Sequence, residues 1–172
     1  MTLLDAPQFD EAKERRKNRI FLGLAGLVVL LFVGWWLAAG RPVDWPWRWN
    51  NHLRGRMAVN SFFKAVEAND LKTAYGIWLH DPAWQQHPEK HSTYSYQRFT
   101  RDWAPDGVEN TYGAIRSHRI AADVMRGNSL MVGIFVNGTH TKAINLEYFP
   151  PDHTLSFTPE DVQFLEGPGG IQ

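Results

Sequence analysis

Apolar and polar positions fall into three regimes along the chain. Ile20 to Ala39 (IFLGLAGLVVLLFVGWWLAA) holds no charge and no proline. A helix of about twenty such residues crosses a hydrocarbon core of roughly 30 Å, and lipid tolerates a lone segment only as a helix. From about Leu53 to Trp103 the apolar residues recur at intervals of three and four, the period of a half-buried helix. From Ala114 onward the period falls to two, which marks strands.

Three helices are predicted in the middle regime. Val59, Phe62, Phe63 and Val66 form one stripe of a helix from about Leu53 to Ala68. Asn69 ends it and Asp70 caps the next, Leu71 to about Leu79, whose stripe is Leu71, Ala74, Tyr75 and Trp78. His80 to His91 carries two prolines and reads as an irregular connection. A third helix, Thr93 to Trp103, aligns Tyr96, Phe99 and Trp103 before the turn residues Ala104-Pro105-Asp106-Gly107.

The strand regime predicts an antiparallel meander. In Ala114 to Met125, Ile120, Ala122 and Val124 share one face, and Arg119 and Asp123 the other. After the turn Arg126-Gly127-Asn128-Ser129, Leu130 to Val136 is apolar on both faces, as suits a central strand. Asn137-Gly138 is a strong hairpin signal, because both residues accept positive φ. His140 to Phe149 returns with Ile144, Leu146 and Tyr148 inward, and Leu155 with Phe157 marks a fourth strand after Pro150-Pro151-Asp152. Beyond it, Thr158 to Asp161 caps a helical turn or Val162 and Phe164 prolong the strand; both readings stand. The expected class is α+β: one N-terminal transmembrane helix, then about three helices packed on an antiparallel sheet of about four strands. The expected divisions are a tail over 1–19, a span over 20–39, a Trp/Pro linker over 40–52, a domain over 53–166 and a frayed end over 167–172.

Composition narrows the partners. Lys plus Arg and Asp plus Glu each number 18, so no global field draws the chain to nucleic acid. With no cysteine, disulfides, thiol catalysis and thiolate-bound zinc are excluded. Lys13, Arg15, Arg16, Lys17 and Arg19 cluster just ahead of the apolar run, which predicts a cytoplasmic tail, an inner-membrane span and an extracytoplasmic domain. Trp35, Trp36, Trp45, Trp47 and Trp49 are candidates for a belt at the outer interface of the bilayer. A cleaved signal peptide is the rival reading, since Ala38, Ala39 and Gly40 are small. The length of the run and its paired tryptophans favour a retained anchor.

The opening helix pair, FFKAVEANDLKTAYGIW from Phe62 to Trp78, followed by antiparallel strands, resembles the nuclear transport factor 2-like superfamily of cystatin-like cone folds. The likeness covers roughly 53–164. It implies a curved sheet around the first helix, with a cone mouth able to hold a small molecule. Members include isomerases, dehydratases, transport factors and membrane-anchored domains of secretion machines, so the resemblance fixes no activity. The order of tail, span and exported cone also resembles the periplasmic scaffold subunits of bacterial conjugation and secretion systems.

Candidates for a pocket lining are Tyr75, Trp78, Tyr96, Phe99, Trp103 and His118, with Trp84 and Tyr94 nearby in sequence. Most of them lie on stripes that packing buries anyway, and core packing is the favoured reading of each. Isomerase-like members need a carboxylate base and neutral oxyanion donors. Asp102, Asp123 and His118 are the ionisable residues placed near a mouth. Asp102 is expected in solvent beside Arg101, Asp123 on the polar strand face, and His118 as a hydrogen-bonded core histidine. His80, His87 and His91 lack the HExxH pattern, and a metal centre needs three or four converging ligands. Neither a metal nor a cofactor is expected. Asn137-Gly138-Thr139 matches a glycan acceptor, though the hairpin turn explains it. The expected role is a non-catalytic binding or assembly module, with the bilayer, a second copy joined through the sheet, or a membrane-complex protein as partners. The alternatives are an anchored receptor for a small aromatic or apolar ligand, and a cone-type isomerase or dehydratase.

Overall fold

The structure is a computed structural model, described here for residues 11–141 and 143–158. It divides into two units, residues 1–38 and 39–172. In the first, α1 (Glu11–Ala38) carries the apolar run, with mean hydropathy 2.5 over its best window and none of that window buried. Its charged first turns are stitched by Glu11–Arg15 at 3.2 Å and Glu14–Lys17 at 3.0 Å, spacings that place partners on one helix face. Among the described residues, one helix is therefore long and apolar enough to span a membrane.

The second unit is α+β. Helices α2 (Trp49–Glu67), α3 (Leu71–Trp78) and α4 (Tyr96–Trp103) precede the strands β1 (His118–Arg126), β2 (Ser129–Val136), β3 (Ile144–Phe149) and β4 (Thr154–Phe157). The sheet is an antiparallel meander in the order β1-β2-β3-β4. The stripe Val59, Phe62, Phe63 and Val66 is buried as its spacing requires. Helix α2 starts at Trp49, four residues ahead of the expected Leu53, so that His52 and Gly55 are buried on the same face. A β-carbon at Gly55 would lie 2.4 Å from Leu130 Cδ2, and glycine alone lets the helix press this close to the sheet.

Helices α2 and α3 both end in Schellman closures. After α2, Asn69 N–H donates to Val66 O and Asp70 N–H to Ala65 O, both at 2.9 Å. Asp70 then caps α3 by accepting from Thr73 N–H at 3.1 Å. Only Ala68, Asn69 and Asp70 separate the two helices.

Leu130, Val132, Ile134 and Val136 of β2 face the helices with Ile144, Leu146, Tyr148 and Leu155. On the other face Met131 and Phe135 are also covered, Phe135 by the Arg119 guanidinium 5.3 Å from its ring centre and by His140. Asn137 and Gly138 take positive φ, 54° and 71°. The Asn137 side chain accepts from Arg116 N–H and donates to Ala114 O, tying the turn to the segment before β1. Strand β3 begins at Ile144 rather than His140. The readings for Val162, Phe164 and residues 167–172 fall outside the described residues.

The aromatic core centres on Phe62, whose ring meets Phe63, Trp78, Phe99 and Trp103 at 4.8–6.1 Å. Phe62→Ala should cost about 3–5 kcal/mol in urea unfolding of the detergent-solubilised chain. Met57→Ala, on an exposed side chain, should stay within about 0.5 kcal/mol. Equal losses would mean that this cluster is not the core.

Candidate functional site

One irregularity in β1 places an acidic side chain in the interior. Ile120 pairs with Ile134 and Ala122 with Gly133, so Ala121 is bulged out of the ladder. Before the bulge, His118 and Ile120 face the helices; after it, Asp123 and Met125 do, opposite the core residues Val132 and Leu130. Strict alternation had placed Asp123 on the polar face. The extra residue reverses the parity and turns its carboxylate inward.

That carboxylate, 5% exposed, is met by two cations from α2. Arg56 Nη1 donates to Asp123 Oδ1 at 2.5 Å, and His52 Nδ1 donates to Oδ2 at 2.5 Å. His52 Nε2 in turn donates to Asp44 Oδ2 at 3.1 Å. His52 is itself buried, 3% exposed. Burial is the largest single influence on its ring and works against the charge, but the bonds and charges of Asp123 and Asp44 together outweigh it and hold its pKa above 6.5. Asp44 Oδ1 is buried without a partner, so the linker end of the network is the less satisfied end. Gly40, at φ +90°, lets the chain pass over Arg56, where a β-carbon would lie 2.6 Å from Nη1.

The other ionisable candidates are also engaged. His118 Nδ1 lies 2.7 Å from Glu67 Oε1 and Nε2 2.9 Å from Asn60 Oδ1, with the ring stacked on Phe63. Asp102 does not stand alone in solvent: it accepts from the Tyr94 hydroxyl at 2.6 Å. Burial first, and then the Asp102 carboxylate, push the Tyr94 hydroxyl far above its ordinary pKa, so it stays a proton donor. Tyr75, Trp78, Phe99 and Trp103 are core residues, and Tyr96 packs against them at the edge. His80 meets His153, His87 Nδ1 lies 3.3 Å from Asp81, and among the described residues no group of three acidic or histidine side chains could hold a metal.

Of the interface tryptophans, Trp45 and Trp47 are exposed and stacked at 5.0 Å. Trp49 is buried and its indole N–H donates to Asp44 O at 3.0 Å. Trp35 sits edge-on to Phe32 within α1, beside Trp36.

The open site lies elsewhere, in a groove of about 800 Å³. Helix α2 lends it Arg54, Met57, Ala58 and Ser61; α3 and its end lend Lys72, Thr73, Gly76, Ile77 and His80. Pro82, Trp84 and Gln85 form a wall, and Tyr148 and His153 close one end. Trp84 is the sole aromatic from the expected pocket that reaches it, and His118 does not. Sequence reasoning missed His52, although it lies seven residues before Val59, on the same buried stripe. It weighed His80 only as a metal ligand and missed His153, which lies in the β3–β4 turn and follows no period.

Comparison with protein-family models, with curated proteins and with solved structures gives no match.

Because the folded pKa of His52 is raised, its contribution is complete below the unfolded value near 6.5 and fades as pH rises through the folded value. His52→Gln should therefore lose about 1.5–3 kcal/mol at pH 6, with the gap to the parent narrowing at alkaline pH in urea titrations. A gap that does not change with pH would show the ring to be neutral.

Proposed function

We propose that this chain is a single-pass inner-membrane protein, tail inside, presenting a nuclear transport factor 2-like domain outside the cytoplasm as a non-catalytic binding module. The observation that carries the reading is a division of labour among polar groups. Asp102, Asp123 and His118, the candidates for acid–base work, each hold a side-chain partner and none lines the groove. The groove itself is open and mixed in character, as ligand sites are. The basic cluster before the apolar helix supports the orientation. The helix pair closed by Asn69 and Asp70, set on a four-stranded meander, supports the superfamily. The segment after α1 is part of the second folded unit through Asp44 and Trp49.

A cysteine-free chain makes the topology directly measurable. In intact spheroplasts a membrane-impermeant maleimide should label Asn128→Cys, in the exposed β1–β2 turn, and should label Ala12→Cys only after lysis. The reverse pattern would place the domain in the cytoplasm, and recovery of Asn128→Cys in a carbonate-washed soluble fraction would remove the anchor.

A further inference from the structure

We propose that the groove between α2 and α3 binds an anionic amphiphile, a single oxyanion head on an apolar body, with Arg54 at the head. The proposal rests on the binding-module reading and adds the class of ligand. Arg54 and Lys72 line the groove, with His80 and His153 beside them, and among the described residues no acidic one does. In a chain with equal numbers of acidic and basic residues, a lining of one sign is a local field that favours an anion.

The cations are not equivalent. Lys72 sits beside Asp70, whose carboxyl is held below its usual range mainly by Thr73 hydrogen bonds and in part by this lysine. At the other end, Arg54 has no hydrogen-bond or ion-pair partner among the described residues. It lies near the Tyr148 hydroxyl, which burial pushes up in pKa and Arg54 pulls down. A guanidinium fork left open toward a groove is suited to two oxygens of one phosphate or carboxylate.

The two histidines complete that end. The Tyr148 hydroxyl and His153 Nδ1 lie 2.5 Å apart, which fixes the ring at this end of the groove. The His80 ring stands against His153 at 5.1 Å. Both residues have left-handed backbones, φ 51° and 59°, a conformation that glycine adopts without strain. His80 occupies the closing position of a Schellman motif, with its N–H on Ile77 O and Asp81 N–H on Gly76 O, where glycine is usual. Strain kept at two neighbouring positions, both carrying imidazole, points to use of the rings. Between the head and Lys72 run Met57, Ala58, Ile77 and Trp84, a floor and wall for an apolar body roughly 10 Å long on the helical rise.

The test uses the full chain in phosphatidylcholine nanodiscs, titrated calorimetrically with octyl phosphate, inorganic phosphate and octanol, with empty discs as reference. Octyl phosphate should bind saturably and at least about tenfold tighter than either half alone. Arg54→Gln should weaken it about tenfold or more, and Arg116→Gln, outside the groove, should not. Unchanged urea midpoints confirm that both variants fold. Octanol binding as tightly as octyl phosphate, or Arg54→Gln binding like the parent, overturns the proposal. Replacing part of the lipid with phosphatidylglycerol identifies the source. Competition with octyl phosphate assigns the groove to a lipid headgroup, and unchanged affinity assigns it to a soluble anion. Maleimide labelling of Asn128→Cys is indifferent to these results, so failed binding would count against the ligand class alone.

Discussion

A carboxylate inside a protein costs several kcal/mol unless its charge is answered, and Asp123 is the point on which this domain turns. Its neutralisation comes entirely from α2, through Arg56 and His52. These two residues lie four apart and flank Gly55, where the helix presses against Leu130 and Tyr148. The ion cluster and the close contact are therefore one device. β1 can carry an inward Asp123 only with α2 at this height, and α2 can reach this depth only because residue 55 has no side chain. Asp44 joins by accepting from the second ring nitrogen of His52, which draws the chain after α1 into the same unit. With His52 protonated the four groups sum to zero charge, so no net charge is left in the interior.

The opposite half of α2 works by different physics. From Val59 to Val66 its buried face is wholly apolar, and Phe62 anchors an aromatic cluster, edge-on to Phe99 and Trp103 and tilted against Trp78. Burial of such rings scales with area and tolerates small shifts. A buried ion pair is poor evidence of net stability but sensitive to geometry. Stability thus comes from the C-terminal half of α2, and the register of α2 against β1 from the N-terminal half. Each half does what the other cannot, because dispersion has no direction and charge-assisted hydrogen bonds do.

These differences explain what the sequence disclosed. The stripes of α2, α3 and α4 were legible because burial repeats with the helical period, and Asn69, Asp70, Asn137 and Gly138 were legible because each satisfies a local backbone need. The bulge at Ala121 left no trace: HRIAADVM alternates acceptably in either parity, and the choice is made by Arg56 and His52 more than sixty residues away. The start of α2 was hidden by the Trp/Pro run before it, though extending the stripe back by one heptad would have reached His52. The aromatics between Trp78 and Trp103 suggested a pocket, but a residue type that fills a core also lines a cavity. Periodicity cannot tell the two apart.

The groove was invisible for a further reason: no single element contains it. Helices α2 and α3, joined by Ala68, Asn69 and Asp70, share a valley, and the groove is lined by residues of both. The end of α3 and the β3–β4 turn then converge over one end of that valley, so its lining comes from chain ends whose residues obey no period. Such positions are not constrained by packing. His80 and His153 hold backbone conformations that glycine would hold without strain, and the His153 ring also meets the Tyr148 hydroxyl. Asp123, His52 and His118 have partners because burial demands them. Arg54 has none among the described residues, and exposure excuses it. A polar group that the fold does not need, at the rim of an opening it does not fill, is where a ligand can bind without cost to the structure.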